Sequence, residues 1–351
     1  MCRSPLSPEF ARRCGVFPVY RRNKKVTRRS CPLQCNEQDI VDGLHPSSVI
    51  GNADHRRRTS KSSSVLYRVI IQGQGTPRTM VVKKFQHNET GPDVESRCLA
   101  EVNLLGSMCH HSIINLAGHI RTDSCVLLVY DHMENGSLHK WLHPSLPQVP
   151  AEGEETVRLR PLDWPTRRAI AVDVASGICH LHHGCNNLIV HHNINSNSIL
   201  LDGDLKAKIA GFGYAQLNLA GLDHPVPAWE LTGTNIFGYT APEYTTEVTQ
   251  KVDVYGFGVV LLELVTGRVA NQAAVDGHLA TWAGKHCNQL LKNNAAGFNN
   301  DAADHNIPDR ARHLKEMAAM FRLGVSCTVR EASERPSIKT VLQHLRGHGR
   351  F

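Results

Sequence analysis

The stretch Ile-Val-His-His-Asn-Ile-Asn-Ser-Asn-Ser-Ile-Leu-Leu-Asp-Gly-Asp-Leu-Lys-Ala-Lys-Ile-Ala-Gly-Phe-Gly, residues 189–213, decides how this chain folds. Two short apolar runs, 199–201 and 207–210, flank Asp202-Gly203-Asp204, which predicts a β-hairpin behind a polar loop rich in His, Asn and Ser. Upstream, Asp163 can cap a helix with Pro165 in its first turn, and Ile170, Val174, Ile178 and Leu181 form its apolar stripe down to His183. Downstream, residues 254–265 are apolar nearly all round, which predicts a central buried helix ended by Gly267. A last amphipathic helix starts at Pro336 and presents Ile338, Val341, Leu342 and Leu345.

Before Asn135-Gly136 the pattern is different. Residues 65–71 and 80–85 read as strands around a Gln-Gly-Gln-Gly turn. Residues 93–107 carry Val94, Cys98, Val102 and Leu105 at helical spacing, followed by 113–119 and a strand at 125–130. A small β-rich lobe with one main helix thus precedes a larger helical lobe, an α+β arrangement. Residues 144–161, with four prolines and three glutamates, read as an exposed insertion, and residues 1–44 as a basic, disordered lead-in.

Composition narrows the function. The 351 residues are 41% hydrophobic and carry a formal charge of +7. That charge is local: residues 1–29 hold nine basic residues against Glu9 alone, whereas residues 65–351 hold 26 basic and 27 acidic ones. The basic stretch lacks interleaved aromatics beyond Phe17 and Tyr20, so no nucleic-acid partner is expected. The longest apolar run, residues 254–262, is far short of the ~18 needed to span a bilayer, and the N-terminus lacks the apolar core of a secretory signal. Eleven scattered cysteines without a Cys-x-x-Cys pair fit free thiols and a cytoplasmic location. The histidines at 180, 182, 183, 191 and 192 lack an acidic or thiolate companion at metal spacing.

Read with its motifs, residues 45–347 resemble a protein kinase domain, with a small lobe at 45–133 and a large one at 134–347. The resemblance rests on Lys83 in Met-Val-Val-Lys, Glu101, His191-His192-Asn193, Gly211-Phe212-Gly213, Ala241-Pro242-Glu243, Asp253-Val-Tyr-Gly-Phe-Gly and Arg335-Pro336, all in the order kinases have them. Residues 128–138, 162–167 and 259–268 look more narrowly like plant leucine-rich-repeat receptor-like serine/threonine kinases.

That resemblance implies a role for each position. Lys83 and Glu101 would be the ion pair behind the ATP phosphates, with Gly51, Val65, Val81, Tyr130, Asp131, Met133 and Leu200 lining the nucleotide site. Four positions depart from what phosphoryl transfer requires. Asn193 stands where the base aspartate belongs, and Asn195 where a lysine does. The metal-binding positions hold Ser198 and Gly211, which speaks against Mg2+. The loop after Gly51 has lost its second and third glycines, so ATP would meet a degraded pocket. Val81 replaces an alanine against the adenine, and His192 an arginine that clamps a phosphorylated activation loop. The segment 233–239 is about two residues longer than the usual pattern.

The supporting positions are kept. Leu105, Leu116, His191 and Phe212 match the column that joins the lobes, Glu243 and Arg335 the ion pair under the activation segment, and Asp253 the anchor of the catalytic loop. The expectation is a pseudokinase that binds an active kinase or receptor complex. The alternatives are a weakly active serine/threonine kinase or a non-functional receptor fragment. Residues 12–29 resemble the basic flank of a receptor's membrane span and would give weak contact with anionic lipid at the inner face of the plasma membrane. Arg57-Arg58-Thr59-Ser60 and Ser62–Ser64 look like a substrate for basophilic kinases, with a solvated loop as the plainer reading.

Overall fold

In the computed structural model the described residues are 37–52, 64–72, 76–86, 92–122, 124–144, 160–229, 236–271, 277–292, 298, 302–308 and 310–347. The basic stretch 12–29, the loop after Asn52, most of the insertion 144–161 and the start of the segment 233–239 lie outside them.

Chain order begins with helix α1 (Glu37–Asp42), then strands β1 (Val49–Asn52), β2 (Val65–Ile71) and β3 (Arg78–Gln86), helix α2 (Pro92–Ser107), and strands β4 (Leu116–Arg121) and β5 (Cys125–Asp131). The five strands make one antiparallel sheet in the order β1-β2-β3-β5-β4. Side chains alternate across β3, so its two faces do different work. Met80 and Val82 pack on one side with Val69, Ile71, Ile120, Leu127 and Val129. Lys83 and Phe85 lie on the other, where Phe85 joins the core shared with the large lobe.

Helix α1 corrects the disordered reading of residues 1–44 over Glu37–Asp42. Ile40 is buried in the cluster that also holds Val69 and Met80. Two adjacent apolar residues, Ile40 and Val41, among Glu, Gln and Asp gave too little periodicity to signal this helix.

The larger lobe opens with β6 (Gly136–Ser137) and helix α3 (Leu138–Leu142), followed by α4 (Trp164–Cys179). Asp163 caps α4 as expected, its side chain accepting the Thr166 N–H at 2.9 Å. The chain then continues through a π-helical turn, His180–Gly184, to β7 (Leu188–Val190). The hairpin read in the opening stretch is present as β8 (Ile199–Leu201) and β9 (Ala207–Ile209), joined to β6 in a three-stranded sheet. Short strands β10 (Gln216–Asn218), β11 (Val226–Pro227) and β12 (Glu247–Val248) lead to helix α5 (Lys251–Thr266). Nearly every residue of α5 is buried, and Gly267 ends it in the left-handed region at φ 64°, its N–H returning to Glu263 O.

Helices α6 (Leu279–Lys292), α7 (Arg310–Cys327) and α8 (Ile338–Leu345) complete the lobe. Pro336 precedes α8 rather than starting it; Ser337 is the cap, accepting the Thr340 N–H. One close approach fixes the site: a Cβ on Gly256 of α5 would stand 2.6 Å from Ile194 O, so only glycine lets the central helix lie against the 191–198 loop.

Candidate functional site

The loop at 191–198 hangs from α5 through one buried carboxylate. Asp253 accepts the backbone N–H of His191 on Oδ2 and of His192 on Oδ1, both at 2.8 Å, and the imidazole of His182 on Oδ2 at 2.9 Å. Burial opposes its charge, but the His182 hydrogen bond and the nearby histidines prevail and hold the carboxyl below its ordinary range. Two consecutive N–H groups aimed at one carboxylate force a tight bend, and His192 takes it at φ 65°.

Beyond that bend, the positions that depart from the kinase pattern bond to one another. Asn195 Nδ2 donates to Asn193 Oδ1 at 2.7 Å and to Asn193 O at 3.1 Å. Asn195 Oδ1 accepts the N–H groups of Asn197 and Ser198 at 2.9 and 3.1 Å. Ser198 Oγ lies 2.7 Å from Asn193 O and 3.0 Å from Asn195 O, and receives the Asn195 N–H at 3.1 Å. Asn195 and Ser198 are buried. Gly211 faces this loop at φ 82°; a Cβ there would lie 3.2 Å from Asn193 Nδ2 and 3.5 Å from Ser198 Cβ. The polar atoms of the loop are thus turned inward on its own backbone, under a residue with no side chain.

Across the cleft, Lys83 Nζ meets Glu101 Oε2 at 3.0 Å, with the two side chains 14% and 3% exposed, so Lys83 is no solvated edge charge. Sequence reading placed Tyr130 at the nucleotide site and missed its bond to this pair. Tyr130, opposite Val81 in the β3–β5 pairing, donates its hydroxyl to Glu101 Oε1 at 2.7 Å. Burial and the neighbouring Glu101 carboxylate push the phenol well above its usual range, so it stays a donor. Tyr130 therefore braces α2 through Glu101.

The other residues assigned to the nucleotide site are spread unevenly. Met133 is buried, and Leu200, Val65, Val81 and Gly51 are partly exposed. Asp131 pairs with Arg78 at 2.7 Å and Asn115 at 3.1 Å.

The supporting groups assemble. Leu105, Leu116, His191 and Phe212 all belong to one buried cluster, and the His191 and Phe212 rings meet edge to face at 4.7 Å. Glu243 grips Arg335 with both carboxylate oxygens at 2.5 and 2.6 Å. Arg335 also donates to the carbonyls of Val329, Arg330 and Lys251 and lies over the Tyr255 ring. His192 stands where the resemblance implies an arginine. Burial, opposed in part by Asp253, lowers its pKa to about 4, and its Nδ1 pairs with Tyr244 Oη at 2.9 Å. A neutral His192 held by Tyr244 offers no cation to a phosphate. Among the described residues no helix is long and apolar enough to cross a membrane.

Comparison with known proteins agrees with this architecture. Residues 62–345 match the protein kinase domain. A leucine-rich repeat receptor-like protein kinase of Arabidopsis thaliana is 31% identical over 87% of this chain and 26% of its own length. An LRR receptor-like serine/threonine-protein kinase of Oryza sativa subsp. japonica is 32% identical over 81% of this chain and 26% of its own length. An Arabidopsis thaliana protein named as an inactive receptor kinase is 36% identical over 72% of this chain and 40% of its own length. The chain spans well under half of each of these relatives. With its bilobal α+β fold and a family match covering most of its length, the chain belongs to the protein kinase domain family.

Proposed function

We propose that this chain is a catalytically inactive kinase-fold module, a pseudokinase, that acts in signalling by binding an active kinase or receptor complex and regulating it. The observation that carries this reading is the closed set of hydrogen bonds among Asn193, Asn195 and Ser198 beneath Gly211. Phosphoryl transfer depends on a positioned nucleophile, bound metal and compensation of phosphate charge. An amide at 193 cannot take the substrate proton, and such general-base help is worth about 10² to 10⁴ in rate. Nor does the site fit Mg2+, which favours carboxylate and water oxygens in octahedral array. Ser198 Oγ shares its one proton between the Asn193 and Asn195 carbonyls and accepts the Asn195 N–H, and Gly211 supplies no ligand.

Loss on the chemical side stands against retention on the structural side. Asp253, the Glu243–Arg335 pair and the His191–Phe212 contact hold together the interior of the kinase fold. The relative named as an inactive receptor kinase supports the same direction. For the basic residues 12–29 the proposed role is weak contact with anionic lipid at the cytoplasmic face of the plasma membrane.

One observation favours a second reading. The Lys83–Glu101 pair is intact, as a nucleotide-binding or weakly active kinase would need. Titrating the purified chain with ATP, with and without Mg2+, separates the two. The pseudokinase reading predicts an affinity unchanged by Mg2+; a gain of tenfold or more on adding the metal overturns it. Mixing the chain with the kinase domain of a receptor-like kinase then tests regulation, expected as a change in that partner's autophosphorylation rate.

A further inference from the structure

The cluster of histidines at 180–192 drew attention in the sequence, but the structure gathers a different set. Helix α3 carries His139, and His143 follows one turn later at its C-terminal end, with the rings 4.9 Å apart. Spacing of four places both on one helical face. That face meets Glu263 of α5, whose side chain is fully buried. Donor atoms of His139, His143 and Glu263 all lie within 4.8 Å of one another.

The carboxylate is unevenly satisfied. Its Oε1 receives three partners: His143 Nε2 at 2.9 Å, Tyr239 Oη at 2.8 Å and Ser196 Oγ at 3.2 Å. Its Oε2, equally buried, has no hydrogen-bond partner among the described residues. A buried carboxylate oxygen without a donor is costly, and a cation is one way to relieve it.

We propose that His139, His143 and Glu263 bind a transition-metal cation, best matched by zinc. Two imidazoles and one carboxylate make a donor set zinc accepts, with bonds of ~2.0 to 2.2 Å that put tetrahedral ligand atoms ~3.4 Å apart. Closing the set from 4.8 Å requires a modest swing of His139, while the His143 side chain is 7% exposed and held in place by Glu263. Magnesium and calcium, which prefer oxygen ligands throughout, are poorly matched. Tyr239 Oη and Ser196 Oγ, already beside Glu263, are candidates for the fourth position or for orienting the ligands, and Ser196 Oγ is also 3.2 Å from His139 Nδ1.

Position gives the site its consequence. Ser196 lies in the 191–198 loop and Tyr239 just before Ala241-Pro242-Glu243, so an ion here fastens α3, the loop and that segment to the central helix. The inference stands on its own geometry, whether or not the chain transfers phosphate.

The test uses the purified full chain, stripped of metal and titrated with Co2+ and Zn2+. One equivalent of cobalt should give the intense visible absorption of a four-coordinate nitrogen–oxygen site, bleached by zinc. Zinc at a hundredfold excess over its Kd should raise the unfolding midpoint by roughly 5 °C. His139→Ala, which leaves the His143–Glu263 pair in place, should weaken binding at least tenfold and abolish the midpoint shift. His224→Ala, at an exposed histidine, should change neither. Absence of a stoichiometric equivalent, a thiolate-to-cobalt charge-transfer band, or equal binding by His139→Ala would each overturn the proposal.

Discussion

Asp253→Asn tests how the 191–198 loop is held. The native carboxylate accepts two donors on Oδ2, from His191 N and His182 Nε2, and one on Oδ1, from His192 N. Asparagine fills the same volume but keeps one acceptor oxygen. Placed at the Oδ2 position, it retains two donors and turns its own NH2 against the His192 N–H. One buried donor is then unsatisfied, at about 1 to 3 kcal/mol, and the charge that strengthened the other two bonds is gone. The expected cost is about 2 to 4 kcal/mol. Asp253→Ala strips all three donors and should cost about 4 to 6 kcal/mol, a large part of a typical 5 to 15 kcal/mol. Urea unfolding at neutral pH reads both values, with an unchanged m confirming a common unfolded state. Native-state hydrogen exchange should show the His191 and His192 amides losing protection first. An Asp253→Asn protein within about 0.5 kcal/mol of wild type would refute the view that this carboxylate anchors the loop.

Three further outcomes follow from the same geometry. His192 has a folded pKa of about 4 against an unfolded value near 6.5, so the unfolded chain binds the proton first and stability falls as pH drops from about 7 to 4. In His192→Asn, whose residue tolerates the left-handed backbone, urea unfolding across that window should give a slope shallower by up to about 3 kcal/mol; an unchanged slope counts against a neutral buried His192. Asp253, depressed below its ordinary value, adds its own loss only under about pH 3.8, which keeps the two windows apart. Tyr130→Phe removes the hydroxyl from Glu101 Oε1 and should cost about 1.5 to 3 kcal/mol by urea unfolding; no change would mean the bond contributes nothing. Gly211→Ala forces a side chain into φ 82° and a 3.2 Å contact with Asn193 Nδ2, for a loss of about 1 to 2 kcal/mol in thermal unfolding, and a neutral result would contradict the crowding described.

What the sequence made legible is what local chemistry determines. Asp163 and Gly267 bound their helices because capping and a positive φ are decided within a few residues. The hairpin at 199–209 and the helix at 251–266 declared themselves by turn composition and unbroken apolarity. Motif order located Lys83, Glu101, Asp253, Glu243 and Arg335, and the structure pairs each with its expected neighbour. Hidden were the contacts made across long separations by residues with no local pattern. Tyr130 reaches from the sheet to Glu101 on α2, and His143 meets Glu263 from 120 residues away. Asp131 was placed with the nucleotide by its position in the chain, and its side chain pairs with Arg78 and Asn115. Asn193, Asn195 and Ser198 each read as a separate loss; that they satisfy one another appears only once the loop is folded.

The 191–198 loop either supports phosphoryl transfer or does not, and turnover decides between the two. Purified chain with labelled ATP, a generic protein substrate and either Mg2+ or Mn2+ should transfer no more phosphate to itself or the substrate than its Lys83→Ala variant. Transfer well above that variant, sustained over many turnovers, would contradict the claim that Asn193, Asn195, Ser198 and Gly211 have closed the site to phosphoryl transfer.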